Sequence, residues 1–247
     1  MPFHKTVPIG PLAVAVTDPA TAALAVIEAS RAPHAGLAIH LVNAYTVALA
    51  DENERYRNAI SRGVALPDGK PLGWVSALRR DSPVIRQTRG PSLFEAVFDR
   101  GREFGITHFL LGSTPAVLEL LQSNLSSRYP GVCIVGAESP PFRLMTAEEV
   151  EEQDHRIRSS GAAIVWVGLG TPKQDFEAAR LAASVPATVI AIGAAFDFVA
   201  GTLPQAPSWM LRVGLEWLYR LIREPRRLWR RYLFGNVAFV RAVVRRR

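Results

Sequence analysis

Five short, unbroken apolar runs constrain this chain most: "LAIHLVN" (37–43), "HFLLGS" (108–113), "VCIVGA" (132–137), "AAIVWVGLG" (162–170) and "ATVIAIGAA" (187–195). A strand covered on one face alternates apolar with polar residues. These runs do not alternate, and so predict parallel strands buried on both faces. Segments of helical spacing lie between them. "DPATAALAVIEASRA" opens with Asp18 as an N-cap and Pro19 at the first helical position. "STPAVLELLQSNLSSRY" starts the same way, with Ser113 or Thr114 before Pro115. "TAEEVEEQDHRIRSSG" sets Thr146 ahead of Glu148 and Glu149, where the helix dipole favours acids, and stops near Gly161. Strand, glycine turn, helix, strand is the rhythm of an α/β fold with a mostly parallel sheet flanked by helices.

In such a sheet ligands bind beyond the carboxyl ends of the strands, where loops enter helices. That rule selects Asn43, "LPDGKPLG" (66–73), "GSTP" (112–115), "GLGTPKQD" (168–175) and "GAAFDFVAG" (193–201), which holds Asp197. Asp68, followed by Gly69, could accept a proton from a hydroxyl nucleophile. Asp-Gly is also a common turn, and on the residues alone the turn is the commoner reading. Gly168 and Gly170 let backbone N–H groups approach a ligand. The helix start at Pro172 offers free donors to an anion, with Lys173 and Gln174 beside it. The spacing fits neither a P-loop nor G-x-G-x-x-G, so turning glycines and a phosphate cradle stand side by side as readings. Gly112 and Ser113 form a similar entry. Arg86 and Arg89 precede a helix start and suit bidentate phosphate binding, although loop arginines are usually just solvated. The five histidines lack metal-ligand spacing, and no G-x-S-x-G elbow occurs. His40 and His108 lie within apolar runs and read as core or sheet-end residues.

The net charge of +7 is unevenly placed. Residues 212–247 hold 11 Arg and 2 Glu, a net of +9, against 18 basic and 20 acidic residues, −2, in the other 211. This divides the chain into a body, 1–211, and an arginine-rich helical appendage, 212–247. The asymmetry points to an anionic partner, membrane or nucleic acid. RNA-recognition and zinc-finger signatures are missing, which disfavours nucleic acid. Leu215, Leu218 and Ile222 make one helical stripe, Pro225 breaks or restarts the helix, and Leu228, Tyr232 and Leu233 continue a second stripe among arginines. Basic, aromatic helices of this kind lie in the membrane interface. The alternative is packing against the sheet or a second copy in a homo-oligomer. No run reaches the ~18 apolar residues of a membrane span, and "PLAVAV" is too short for a signal segment. One cysteine, Cys133, excludes a disulfide framework and reads as a small buried hydrophobe. The expected place is the cytoplasm, at the inner face of the membrane.

Together, "VNA" (42–44), "LPDG" (66–69), "RGPSLF" (89–94), "FLLGSTPAVL" (109–118), "YPGVCIVGAESPPF" (129–142), "GLGTPKQD" (168–175), "AFDFVAGTLPQAPSWM" (195–210) and "GLEWLYRLIREPRRLWRRYL" (214–233) resemble the WecG/TagA/CpsF family of bacterial glycosyltransferases. The resemblance implies a Rossmann-like catalytic domain and an inverting transferase that needs no metal or other cofactor. Its typical donor is UDP-N-acetylmannosamine and its acceptor an undecaprenyl-diphosphate-linked sugar. It makes Asp68 the general base with Asn43 near it. Arg86 or Arg89 would serve the leaving diphosphate, the "GLGTPK" and "GSTP" loops would cradle it, and Arg220 or Arg223 would reach it from the appendage. Two positions depart from the family pattern: Asp175 replaces a usual Glu, and Gln205 an arginine. A nucleotide-binding module without transferase activity is the plainer alternative.

Overall fold

The computed structural model describes residues 3–32, 35–79 and 83–245, the Arg227 side chain excepted. His34, Arg246 and Arg247 lie outside the described residues. Eight strands form one sheet: β1 (Thr6–Ile9), β2 (Leu12–Ala15), β3 (Leu37–Val42), β4 (Val64–Pro67), β5 (Thr107–Gly112), β6 (Cys133–Glu138), β7 (Ile164–Gly168) and β8 (Thr188–Ala191). Their spatial order is β1-β2-β4-β3-β8-β7-β5-β6. The β1/β2 hairpin is antiparallel, and every other pairing is parallel.

The helices are α1 (Pro19–Arg31), α2 (Ala44–Glu52), α3 (Glu54–Ser61), α4 (Lys70–Ala77), α5 (Gly90–Gly101), α6 (Pro115–Arg128), α7 (Ala147–Ser159), α8 (Lys173–Ser184), α9 (Ala195–Ala200), α10 (Ser208–Val213), α11 (Glu216–Arg223) and α12 (Pro225–Val244). The three starts read from sequence are built as their residues dictate. Asp18 accepts from the N–H groups of Ala20 and Thr21, and Thr114 from that of Val117. Thr146 and Glu149 form a reciprocal capping box, which satisfies two helix-end donors at once.

Four of the five runs are unbroken because both sheet faces are covered; the fifth, β6, lies at the sheet's edge and has no fully buried residue, against the expectation. Along β7, Ile164 and Trp166 pack with Phe94, Phe98 and Phe196, while Val165 and Val167 pack on the other face with Ala178 and Leu181. Each such buried side chain contributes about 1.5–3 kcal/mol. The hairpin and β4 are four residues each, too short to carry a periodic signal. Cys133 corrects an expectation: it begins edge strand β6 and is exposed rather than buried.

The described part of the segment, 212–245, is mostly helical, and α12 starts with Pro225 in its first turn. The two faces of α12 differ. Phe239, Ala242 and Val243 are buried in a core shared with Val7, Ile9, Val14, Val47 and Tyr56. Opposite them, Trp229, Leu233, Val237, Val240 and Val244 form an exposed stripe along the helix. Leu228 is buried and Leu233 is 62% exposed, so the second stripe read from sequence divides between the faces. Among the described residues no helix is long and apolar enough to cross a membrane.

Candidate active site

The carboxyl ends of β3, β4, β5, β7 and β8 open onto one cavity of about 1060 Å³, closed on one side by α11 and α12. Asn43, Asp68, Gly69, Arg89, Ser113, Gly168, Gly170, Gln174, Asp197 and Arg220 all line it. Arg86, Gly112, Pro172, Lys173 and Arg223 are not among the lining residues. Arg86 is exposed and its charge acts on Asp18, at the start of α1. Arg223 lies over the Tyr219 ring.

Asp68 follows β4 directly, and its N–H donates to Val42 O on β3. Gly90 N–H, at the first residue of α5, donates to Asp68 Oδ1 at 2.9 Å. The Gln87 amide holds the Asp68 carbonyl at 2.6 Å. Burial pushes the Asp68 carboxyl above its usual 3.8; the Gly90 bond, the Arg89 charge and the Asn43 side chain oppose this, while the Glu216 charge adds to it. A carboxylate tuned upward and still within reach of solvent is suited to taking a proton from a hydroxyl. Asn43 also caps α2, accepting from Tyr45 and Thr46 N–H. Its carbonyl is committed to the helix, which leaves the amide for Asp68.

The glycines of the two loops divide by role. A Cβ on Gly112 would lie 2.6 Å from the Gly168 backbone, and one on Gly168 would lie 2.7 Å from the Phe196 ring. These two allow close packing. Gly170 has φ +76 with nothing near its missing Cβ, so it turns the chain at the cavity wall. Ser113 holds φ 60, a left-handed conformation that costs a non-glycine residue energy and clusters at functional sites. The start of α8 corrects the expectation of free donors. Gln174 N–H donates to Gly170 O, and Asp175 and Phe176 N–H to Pro172 O, while Lys173 is exposed. Gln174 instead offers its buried side chain, whose Oε1 has no partner.

Asp175 does not reach the cavity. It is fully buried between Tyr56, whose hydroxyl donates to Oδ2 at 2.8 Å, and His40 Nδ1, 3.2 Å from Oδ1. The shorter acid fits this closed space between α3, α8 and the central strand β3.

Arg89 is held by Glu216 of α11. Its Nε lies 3.1 and 2.9 Å from Oε1 and Oε2, and its Nη2 2.8 Å from Oε1. Its Nη1 donates to Gln205 Oε1 at 3.1 Å, so the neutral residue at 205 spares Arg89 a like charge. Arg89 and Arg220 both lie over the Phe198 ring, at 5.5 and 5.7 Å. Tyr45, Arg231 and Tyr232 also line the cavity, and sequence reasoning did not single them out as site residues. Arg231 lies over the Tyr45 ring at 4.6 Å, with its Nε buried and unpartnered. Burial lowers its pKa from the usual 12.5, and the Asp68 charge opposes that shift. A guanidinium with a spare buried donor is ready for an anion. In the sequence Arg231 was one arginine among many. Among the described residues no group of three or more His, Cys, Asp or Glu is placed to hold a metal ion.

A family model described as the glycosyl transferase WecG/TagA/CpsF family matches residues 7–247, from the first strand through α12 to the end of the chain. With that match over essentially its whole length, the chain belongs to the WecG/TagA/CpsF family and is a glycosyltransferase.

Proposed function

We propose that this glycosyltransferase is inverting and moves a hexosamine, N-acetylmannosamine in the first instance, from a UDP-sugar to a lipid-diphosphate-linked sugar. Its product would serve a cell-surface polysaccharide or a teichoic-acid-type polymer. One observation carries the reading: Asp68, a carboxyl raised by burial, shares a cavity with the basic residues of α11 and α12. Asp68 takes the proton of the acceptor hydroxyl. The oxygen attacks the anomeric carbon from the face opposite UDP, and the bond to the diphosphate breaks. Negative charge grows on the departing diphosphate, where Arg220 and Arg231 stabilise it. The Ser113 turn and the Gly168–Gly170 loop supply the rest of that wall.

The exposed stripe of α12, flanked by exposed Arg226 and Arg230, supports a place at an anionic membrane face. It favours lipid over nucleic acid, since large apolar side chains gain nothing from a phosphate backbone. The test is a panel of UDP-hexosamines with a defined lipid-diphosphate acceptor, followed by analysis of the linkage formed. Transfer with inverted anomeric configuration supports the reading, and retention or no transfer from any donor overturns it.

A further inference from the structure

The cavity wall formed by the start of α11 does not suit a diphosphate. The edge of Arg89 that would grip two phosphate oxygens, Nε with Nη2, is already filled by the Glu216 carboxylate. Glu216 itself lines the cavity, close enough to Asp68 for the two charges to act on each other. The Glu216 carboxylate neutralises Arg89, which therefore offers an anion little attraction, while both carboxylates keep lone pairs. They are acceptors for neutral hydroxyl groups, and charge-assisted hydrogen bonds of that kind are the strong ones.

Trp217, the next residue, also lines the cavity and is 39% exposed. Its ring is propped against Tyr232, with centroids 5.8 Å apart. A sugar ring has a hydroxyl rim and apolar C–H faces. A flat aromatic surface beside a fixed carboxylate matches both, as small-ligand sites combine apolar area with a few placed polar groups. The nucleophilic hydroxyl must stand at Asp68, so the acceptor ring lies next to it. The donor, a linear nucleotide sugar, has the length of the carboxyl edge for its remaining parts. From β4 to β5 that edge spans four strand spacings, roughly 19 Å.

We propose that Glu216 and Trp217 form the subsite for the acceptor's sugar ring, Glu216 accepting from a hydroxyl and Trp217 carrying the C–H face. Arg89 is then a positioning residue that acts through Glu216. The inference rests on the transferase reading above, with Asp68 as the base.

The experiment measures transfer to a water-soluble acceptor, N-acetylglucosaminyl diphosphate on a short alkyl chain, from the UDP-hexosamine that the unmutated protein uses. Trp217→Ala is expected to raise the acceptor KM at least tenfold with the donor KM unchanged, and Trp217→Phe to recover most of it. Glu216→Gln and Arg89→Lys should each raise the acceptor KM. Their double variant should be no worse than the poorer single one, because both act on one contact. Thermal melts confirm that each variant is folded. Unchanged acceptor KM in folded Trp217→Ala and Glu216→Gln overturns the subsite, as does a rise confined to the donor KM. Loss of vesicle binding by Trp217→Ala, with the soluble acceptor's KM unchanged, would make Trp217 a lipid contact instead. If the unmutated protein transfers to no such acceptor, the transferase reading fails and the subsite with it, a result distinct from all the others.

Discussion

The N–H of Gly90 points at Asp68 Oδ1 from 2.9 Å, so the opening turn of α5 faces the one carboxylate that ends β4. Helix-end donors favour the charged form of a carboxyl, and burial disfavours it. Here burial is the larger effect, and the carboxyl is pushed above 3.8.

Asp68→Asn should therefore separate activity from stability. Asn keeps an oxygen for Gly90 and removes a charge that the folded state holds at a cost. We expect transfer to fall by about 10²–10⁴-fold, the usual share of a general base, while Tm rises. The sign follows from linkage. The folded pKa lies above the unfolded one, so the contribution of Asp68 to stability is present below 3.8 and lost as pH rises through the folded value. Above the folded value the loss is complete, and the Asn variant is spared it. The acid limb of the transfer rate should lie above 3.8, because the base must be ionised. An unchanged rate in the variant, or a Tm below that of the parent, contradicts this.

His108 is one source of acid sensitivity. It is buried, stacked on Phe98 with centroids 4.0 Å apart, and accepts from Trp166 Nε1 through Nδ1 at 3.2 Å. Burial lowers its pKa from 6.5 to about 3. Its contribution is complete above 6.5 and is lost as pH falls through about 3, since the unfolded chain takes the proton first. His108→Phe keeps the stack but leaves the fully buried Trp166 Nε1–H without its acceptor, costing about 1–3 kcal/mol at pH 7.5. Urea melts at pH 7.5 and 4.5 should show a smaller drop for the variant than for the parent.

Tyr56→Phe removes one of the two partners of a fully buried carboxylate, Asp175. A buried acceptor left short of a donor costs about 1–3 kcal/mol. Because Asp175 adjoins Gln174 at the start of α8, the donor KM should rise along with the loss in Tm. A variant with the parent's Tm would show that water or His40 replaces the bond.

The exposed arginines of α12 are expected to hold the anionic lipid. Reversing Arg226 and Arg230 to Glu should cut co-sedimentation with anionic vesicles by tenfold or more, at about 1 kcal/mol per charge near the surface. Neutral vesicles should show little difference, and Tm should hold because both side chains face solvent. Deleting 212–247 is a poorer test. It strips Phe239, Ala242 and Val243 from the core and should unfold the hairpin side of the molecule.

The parallel sheet was readable because burial on both faces writes itself as unbroken apolar runs, and Asp18, Thr114 and Thr146 announced their helices by side chains that do one thing at a helix start. β1, β2 and β4, four residues each, were missed; β8 is as short and was read only as part of the longer run 187–195. The carboxyl-edge rule chose loops that do meet in one cavity. It could not tell Arg89 from Arg86, three residues apart, because only tertiary contact with Glu216 separates them. Nor could composition mark Arg231, whose distinction is a missing partner in a buried place.

The double-sided packing of α12 also orders events during synthesis. All eight strands have been made by Ala191, yet the cavity still lacks Leu228, Tyr232 and Phe239, and the hairpin still lacks its cover. At about 5–20 residues per second that cover follows roughly 3–10 s later. Until it arrives, the nascent body has an open trough instead of an enclosed cavity. The helix that closes the trough also bears the exposed apolar stripe, so the chain gains its enclosed cavity and the surface proposed to meet lipid in the same step.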